Sequence, residues 1–174
     1  DLLLDAHASF IAPRHENIKL LFAGDFDYRE ELEQKALATG LGERIVFTGH
    51  FKRQKLGVVY ASADIFAFPS LTDTQGLVLH EAAGAGLPLV LCDAHVSEIF
   101  HNNVNGLLAE NDPEDFAKQI TRILVDTKIS KSMGLKSKEY ASQHTEERQI
   151  KDLEALYTRC LKNHKKIQFA GGEW

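Results

Sequence analysis

Two carboxylates and a glycine mark the most distinctive stretch of the chain, residues 69–91, which reads PSLTDTQGLVLHEAAGAGLPLVL. Asp73 precedes a predicted helix that opens at Gly76, and Glu81 lies inside that helix, with seven residues between the two acids. The unpaired N–H groups at a helix start form an anion site that suits phosphate. A carboxylate on each side of it can accept hydrogen bonds from hydroxyl groups. The stretch therefore suits a ligand with hydroxyls at both ends and phosphate between them.

The predicted helix itself, GLVLHEAAGA, is apolar on nearly every side, which indicates that it is buried. We expect Thr72 or Thr74 to cap its start, and Gly86 to end it. A carboxylate buried in such a helix costs free energy unless it is paired or hydrogen-bonded. A polar group should therefore face Glu81.

Apolar runs alternate with amphipathic segments on both sides of this stretch, a pattern typical of βαβ units and a parallel sheet. Runs such as IKLLF and LPLVL show no alternation, as expected for strands covered on both faces. The predicted strands are residues 18–23, 44–48, 64–70, 87–93 and 106–109. The predicted helices are residues 2–11, 29–39, 52–62, 76–85, 96–102, 113–125, 130–143 and 146–165. The fold class is thus α/β, a Rossmann-like parallel sheet flanked by helices, with extra helices at the C-terminal end.

Loops at the carboxyl ends of parallel strands form the usual ligand crevice of such a fold. We expect three of them to line one crevice: Gly24-Asp25-Phe26, Gly49-His50-Phe51 and residues 70–76. Gly24 and Gly49 have a plainer interpretation as turn glycines, and His50 as a surface loop residue.

Composition sets the limits of the interpretation. The 174 residues, 44% of them apolar, suit one domain with one core, which we place at residues 1–166, followed by a tail at 167–174 without periodicity. A net charge of −5 makes nucleic acid a poor partner. With two cysteines, no CxxC and no His/Cys cluster, we expect neither a disulfide framework nor a metal site.

The compartment and the ends of the chain are also expectations. Low cysteine usage fits a reducing compartment, and no apolar run reaches about 20 residues, so we expect a cytoplasmic protein without a membrane span. The chain opens inside a predicted helix, which we interpret as the start of a piece of a longer protein.

Residues 69–91 resemble the donor-binding motif of GT-B retaining glycosyltransferases of family four, the glycosyl transferases group 1. That motif has PS, an acid, seven residues, Glu-Ala, small residues, Gly and Pro, and Asp73 and Glu81 match the two acids. The segments LLFAGDFDYREEL, RIVFTGHF and LGVVYASADIFAFPS are similar to the family in the same order. The resemblance covers about residues 2–161 and implies the C-terminal, donor-binding half of a GT-B fold.

The resemblance also implies roles for individual residues. Glu81 would bind the donor ribose, and Asp73, one methylene shorter than the usual Glu, would lie near the transferred sugar. The backbone of residues 74–77 would hold the diphosphate, and His50 and Phe51 would contact the base. The implied catalytic residues are Asp73 and Glu81, and the implied substrate-binding residues are Gly24, Asp25, His50, Phe51, Thr74, Gln75, Gly76, Leu77 and Glu81.

The implied activity is transfer of a hexose from a nucleoside-diphosphate sugar to an acceptor hydroxyl on a glycan or lipid, with retention of configuration and without a cofactor or metal. The family's Arg/Lys pair and acceptor domain would precede this chain, so we expect the protein's own N-terminal domain as a partner and no catalysis by this part alone. The sequence TDTQG is similar to relatives that glycosylate lipids, which implies peripheral contact at the inner face of the membrane.

Other interpretations remain open at this point. The shortened acid Asp73 is compatible with a non-catalytic nucleotide-sugar binding module, and the shape is shared by other GT-B-shaped enzymes such as a nucleotide-sugar epimerase. Taken singly, Glu81 is a structural carboxylate, Asp73 a turn residue and Tyr60 a core residue.

Overall fold

The computed structural model describes residues 1–73 and 76–170 of the chain. These residues form the short strands β1 (Leu20–Phe22), β2 (Ile45–Phe47), β3 (Phe66–Phe68), β4 (Leu89–Leu91) and β5 (Gly106–Leu108). The helices are α1 (Leu2–Ala6), α2 (Arg29–Ala38), α3 (Leu56–Ala61), α4 (Leu77–Ala85), α5 (Pro113–Val125), α6 (Thr127–Gln143) and α7 (Glu146–Ala170). A π-helical turn, His7–Ile11, continues α1, so the helix expected over residues 2–11 is confirmed.

All strand pairs are parallel, as the alternating pattern predicts. β1 pairs with β2, with Leu20 opposite Ile45. β4 lies between β3 and β5, with Leu89 opposite both Phe66 and Gly106. Within the described residues the strands form two hydrogen-bonded sheets, one of two strands and one of three, rather than a single ladder. The predicted α/β class with parallel strands flanked by helices is confirmed.

The central strand β4 is buried on both faces, as its uninterrupted apolar run predicts. Leu89 and Leu91 belong to one core cluster with Leu79 of α4. Val90, which points to the opposite face of the sheet, belongs to another cluster with Phe116 of α5. The three-stranded sheet is therefore a middle layer between α4 on one side and α1 and α5 on the other.

The smaller sheet departs from the expectation for its strands. Leu20 and Phe22 pack in a third cluster with Leu32 of α2. Leu21 and Val46 are 37% and 38% exposed, because the helices cover only one face of this sheet. The prediction that the run IKLLF is covered on both faces is wrong for the described residues.

The prediction of a helix over residues 96–102 is wrong, because the chain forms turns there. The fully buried side chain of Asn105 accounts for the difference: Oδ1 accepts a hydrogen bond from the His101 N–H, and Nδ2 donates one to the Ile99 carbonyl, each at 2.8 Å. A helix would use those same backbone groups in its own ladder, so the Asn105 side chain competes with helix formation.

Local capping rules fix helix ends at two places, and the second of them, at Gly86, confirms the predicted end of α4. Asp112 Oδ1 accepts hydrogen bonds from the N–H groups of Glu114 and Asp115 at 3.0 Å, with Pro113 at the first helical position of α5. Gly86, with φ of 86°, ends α4 in the left-handed conformation.

The last two helices differ slightly from the expected boundaries. α6 begins at Thr127 rather than residue 130, because the Asp126 side chain caps it. α7 extends to Ala170, into the segment assigned to a tail, and residues 171–174 lie outside the described residues. The domain boundary at residue 166 stays a prediction. No described helix is both long and apolar enough to cross a bilayer.

Candidate functional site

The start of α4 is built by Gly76 and Asp73. Gly76 adopts the left-handed conformation, with φ of 54° and ψ of 39°, and Asp73 Oδ1 accepts a hydrogen bond from its N–H at 2.7 Å. Thr72 gives α4 no side-chain cap, and the alternative cap, Thr74, lies outside the described residues and stays a prediction. Among the described residues, the acid of the loop braces the start of the helix.

Only glycine fits at this position. A Cβ atom on Gly76 would lie 2.8 Å from Leu79 Cδ1, 3.2 Å from the Val96 carbonyl oxygen and 3.3 Å from Ser97 Cβ. The positive φ adds strain for any other residue. The turn that follows β4 therefore packs directly against the start of α4.

Helix α4 is buried on one side only. Leu79, Ala82 and Ala83 are fully buried, whereas Leu77 is 66% exposed and Glu81 is also exposed. Leu77 and Glu81 are four residues apart, so they lie on one face of the helix. The predictions that α4 is buried all round and that Glu81 is buried are wrong, because the sheet and the neighbouring helices cover only the opposite face.

Glu81 nevertheless has the polar partner that the sequence called for. The hydroxyl of Tyr60 donates a hydrogen bond to Glu81 Oε2 at 3.0 Å, and it lies 3.5 Å from the Val78 carbonyl oxygen. The Tyr60 ring is buried, and burial together with the adjacent carboxylate raises its pKa. Tyr60 thus stays a neutral donor aimed at the exposed face of α4. The sequence placed this residue in the core and missed its hydroxyl, for which the only signal was one polar group in the helix LGVVYA.

The first two predicted loops come together in the structure. Gly24 and Gly49 form an isolated antiparallel bridge, and the Gly24 N–H donates to Thr48 Oγ1 at 3.1 Å. Arg29 packs against Gly49, lies 3.6 Å from Asp25 Oδ1, and binds a second acid of its own helix. The hydrogen bond to that second acid, Glu33, and then the charges of Glu33 and Asp25, raise the pKa of Arg29.

The remaining predicted residues are placed as follows. His50 is exposed and Phe51 is half-buried beside it, so both side chains of the second loop reach the surface. Thr74 and Gln75 lie outside the described residues. Among the described contacts, the third loop joins the turn after β4, not the first two loops. The single crevice expected from all three loops stays a prediction.

A pair of histidines, His80 and His144, braces the other side of α4. His80 Nε2 lies 3.1 Å from Ser97 Oγ, and the ring of His80 meets that of His144 edge to face, with centroids 5.9 Å apart. Burial lowers the pKa of His80; Glu98 opposes that shift and His144 adds to it. These contacts therefore connect α4, the turn after β4 and the end of α6.

The geometry combines an anion site with a hydroxyl acceptor. The first N–H groups of α4 have no partner inside the helix and carry the positive end of its dipole. Glu81 lies on the exposed face about one turn further on, held by Tyr60. A phosphate at the helix start and a diol at Glu81 can thus be bound together.

Sequence comparisons place the chain in a family. Residues 1–126 match the family model described as glycosyl transferases group 1. An uncharacterized glycosyltransferase of Methanocaldococcus jannaschii, MJ1607, is 35% identical over 118 residues, which are 67% of this chain and 30% of that protein. The chain therefore spans about a third of the length of this relative.

Structural comparisons agree with the sequence match. Anabaena Alr3699/HepE, solved in complex with UDP and glucose, is 26% identical with a TM-score of 0.77, over 91% of this chain and 44% of that one. The C-terminal domain of a glycosyl transferase group 1 family protein, LpcC from Francisella tularensis, has a TM-score of 0.73 at 21% identity, over 82% of this chain and 76% of that one. The second likeness is one of fold, and it is to a C-terminal domain.

The predicted α/β fold class and the predicted likeness to glycosyl transferases group 1 are confirmed by these matches. The parallel α/β architecture is that of the C-terminal half of a GT-B fold, and the matching relatives are glycosyltransferases. The chain belongs to the glycosyl transferases group 1 family.

Proposed function

We propose that this chain is the donor-binding domain of a retaining family-four glycosyltransferase that transfers a hexose from a nucleoside diphosphate to an acceptor hydroxyl. The observation that carries the proposal is the exposed face of α4, where Tyr60 holds the carboxylate of Glu81 about one turn beyond the glycine start of the helix. A carboxylate that can accept hydrogen bonds from a diol, close to a helix start that can bind an anion, is the combination that a nucleoside diphosphate requires, and this supports the proposal.

Each part of the site has a chemical task in this proposal. The N–H groups at the start of α4 bind the diphosphate and stabilise the negative charge that grows on it as the glycosidic bond breaks. Glu81 accepts hydrogen bonds from the two ribose hydroxyls. Leu77, which is 66% exposed next to the helix start, forms an apolar wall. The loops around Gly24 and His50 approach the sugar and the base.

The donor that we test first is a UDP-hexose. Its support is the likeness to HepE, whose structure contains UDP and glucose. The acceptor is a hydroxyl on a glycan or a lipid, bound with the help of the protein's own N-terminal domain at the cytoplasmic face of the membrane. No metal or other cofactor takes part in the proposed transfer, since the helix start and the family's Arg/Lys pair, which would precede this chain, neutralise the diphosphate.

One observation favours a second candidate, a nucleotide-sugar binding module without catalysis. Oδ1 of Asp73 accepts the Gly76 N–H at 2.7 Å, so this carboxylate has a structural task at the helix start. Asp73 is also one methylene shorter than glutamate. A carboxylate that is engaged at the helix start therefore reaches less far toward a transferred sugar. Turnover by the longer protein, with loss of activity in Asp73→Asn, would exclude this candidate.

Isothermal titration of the chain with UDP-glucose, GDP-mannose, UDP and GDP tests the proposal. We expect one nucleotide to bind together with its sugar conjugate, while the other pair does not, because the base contacts near His50 discriminate between them. Absence of binding by all four ligands, both here and in the longer protein that includes the preceding domain, would contradict the proposal.

A further inference from the structure

An open concave surface lies at the junction of α6 and α7. Its volume is about 510 Å³. Its lining comes from three elements: Glu98 of the turn after β4, Gln143 and His144 at the end of α6, and Arg148, Asp152 and Leu153 in the first turns of α7. The volume lies in the range of about 300–1,000 Å³ that small-molecule sites occupy.

The charged groups of this cavity are available to a ligand. Among the described residues, Glu98, Arg148 and Asp152 form no ion pair and no side-chain hydrogen bond. Three charged groups on two different elements therefore face the same space with their hydrogen-bonding capacity directed to solvent. Convergent polar groups in a concave surface are one of the features of a binding site.

The balance of charge selects the kind of ligand. Two carboxylates, on Glu98 and Asp152, repel an anion such as a nucleotide phosphate. A simple cation can pair with these carboxylates, but it leaves the guanidinium of Arg148 without an acceptor, so a neutral ligand is the one that can use all three charged groups. Such a ligand must offer donors to the carboxylates and acceptors to the guanidinium and to the Gln143 amide.

A sugar satisfies these conditions. Each hydroxyl group both donates and accepts hydrogen bonds, so vicinal hydroxyls can bridge a carboxylate and a guanidinium. Leu153 is 49% exposed and offers an apolar surface for the C–H face of a pyranose ring. The lining thus has the polar and apolar parts that a pyranose presents.

The cavity is connected to the candidate donor site through one turn. Glu98 follows Ser97, whose hydroxyl lies 3.1 Å from His80 Nε2. The Ser97 Cβ would lie 3.3 Å from a Cβ atom on Gly76. His144, which lines the cavity, stacks edge to face on the same His80. We infer that the cavity at the α6–α7 junction is a second carbohydrate site, which binds a neutral sugar unit beside the donor helix. This inference goes beyond the proposed function, because the ligand chemistry follows from the lining residues alone.

A titration followed by ¹H–¹⁵N NMR tests the inference. Glucose, mannose and N-acetylglucosamine are each added to the 174-residue chain, with and without saturating UDP. We expect at least one sugar to give saturable shifts at the amides of Glu98, His144 and Asp152, in the presence of UDP as well as in its absence. A failure of UDP to bind would count against the proposed function and leave this readout intact.

Two variants and a matched control complete the test. Asp152→Ala and Glu98→Gln, which lie on different elements, should each weaken the sugar about tenfold, the effect of one hydrogen bond to a charged group. Glu154→Ala, an exposed carboxylate of the same helix that does not line the cavity, should bind as the wild type does. The inference is overturned if no sugar gives saturable shifts, if UDP abolishes them by competition, or if the three variants bind equally well.

Discussion

The hydroxyl of the buried residue Tyr60 donates a hydrogen bond to the carboxylate of the exposed residue Glu81 at 3.0 Å. An exposed glutamate otherwise samples several rotamers, and ordering it costs about 1.5–2 kcal/mol of side-chain entropy. Because a rigid phenol already restricts Glu81, less of that entropy remains to be lost when a ligand binds. The contact therefore has a measurable consequence for affinity.

Tyr60→Phe removes the hydroxyl and keeps the ring. We expect the affinity for UDP to fall about fivefold, which corresponds to about 1 kcal/mol for one hydrogen bond. In the Glu81→Ala background the same substitution should have no further effect, since the acceptor is gone. Titration calorimetry on the four proteins of this cycle gives the coupling, with Tyr157→Phe on α7 as the matched control. Equal losses in both backgrounds would show that Tyr60 does not act through Glu81.

Gly76→Ala should destabilise the fold by about 1–3 kcal/mol, because it combines a left-handed backbone with a Cβ 2.8 Å from Leu79. Gly84→Ala is the matched control in the same helix. A Cβ there meets nothing within 4 Å, so the control should gain about 0.5–1 kcal/mol from helix propensity. Urea unfolding measures the free energy of unfolding of both variants. A neutral Gly76→Ala would mean that the start of α4 is not under this constraint.

The stability of the chain should decrease on mild acidification. His7 is 2% exposed, and its Nε2 has no partner among the described residues. Burial, and then the charge of Arg44, lower the pKa of His7 in the folded state. The unfolded chain, with a histidine pKa of about 6.5, thus binds more protons, so stability is full above that pH and is lost as the pH falls toward the folded-state pKa.

His7→Leu tests this dependence. The variant removes both the titration and the unpaired nitrogen, so the free energy of unfolding should rise by about 1 kcal/mol at pH 7. The decline of the free energy of unfolding between about pH 7 and pH 5 should become shallower in this variant. Some slope should remain, because the pKa of His80 is also lowered. Urea titrations at several pH values provide the measurement, and an unchanged slope would refute the assignment to His7.

The two cysteines should react at very different rates. Burial, together with Asp115 and Glu110, raises the pKa of Cys92 to about 11, whereas Cys160 is exposed on α7. The thiolate is the reactive form, so iodoacetamide at pH 8 should modify Cys160 first. Cys160→Ser should remove the fast phase, and Cys92→Ser should leave it unchanged. Mass spectrometry follows the reaction. Rapid modification of Cys92 would contradict the conclusion that burial and the nearby acids raise its pKa.

The sequence was sufficient where one local rule decides the structure. Asp112 followed by Pro113 identified the start of α5, and the uninterrupted run LPLVL identified a strand buried on both faces. It failed where a single side chain outside the periodic pattern decides. The Asn105 side chain replaces the expected helix at residues 96–102 with turns, and no periodicity reveals that contact.

The candidate site shows the same division. The spacing of Asp73, Gly76 and Glu81 identified the helix start and its carboxylates. The exposure of Glu81 could not be predicted, because it depends on which face of α4 packs against the sheet. The identity of its partner also depends on the fold, since Tyr60 is 21 residues away.

The role of Glu81 is measured by the binding of UDP to the wild-type chain, to Glu81→Ala and to the control Glu154→Ala. We expect Glu81→Ala to bind UDP about tenfold or more weakly, because the charged acceptor for the ribose hydroxyls is lost, while Glu154→Ala binds like the wild type. Equal affinity of all three proteins for UDP would contradict the claim that the exposed face of α4 holds the nucleotide.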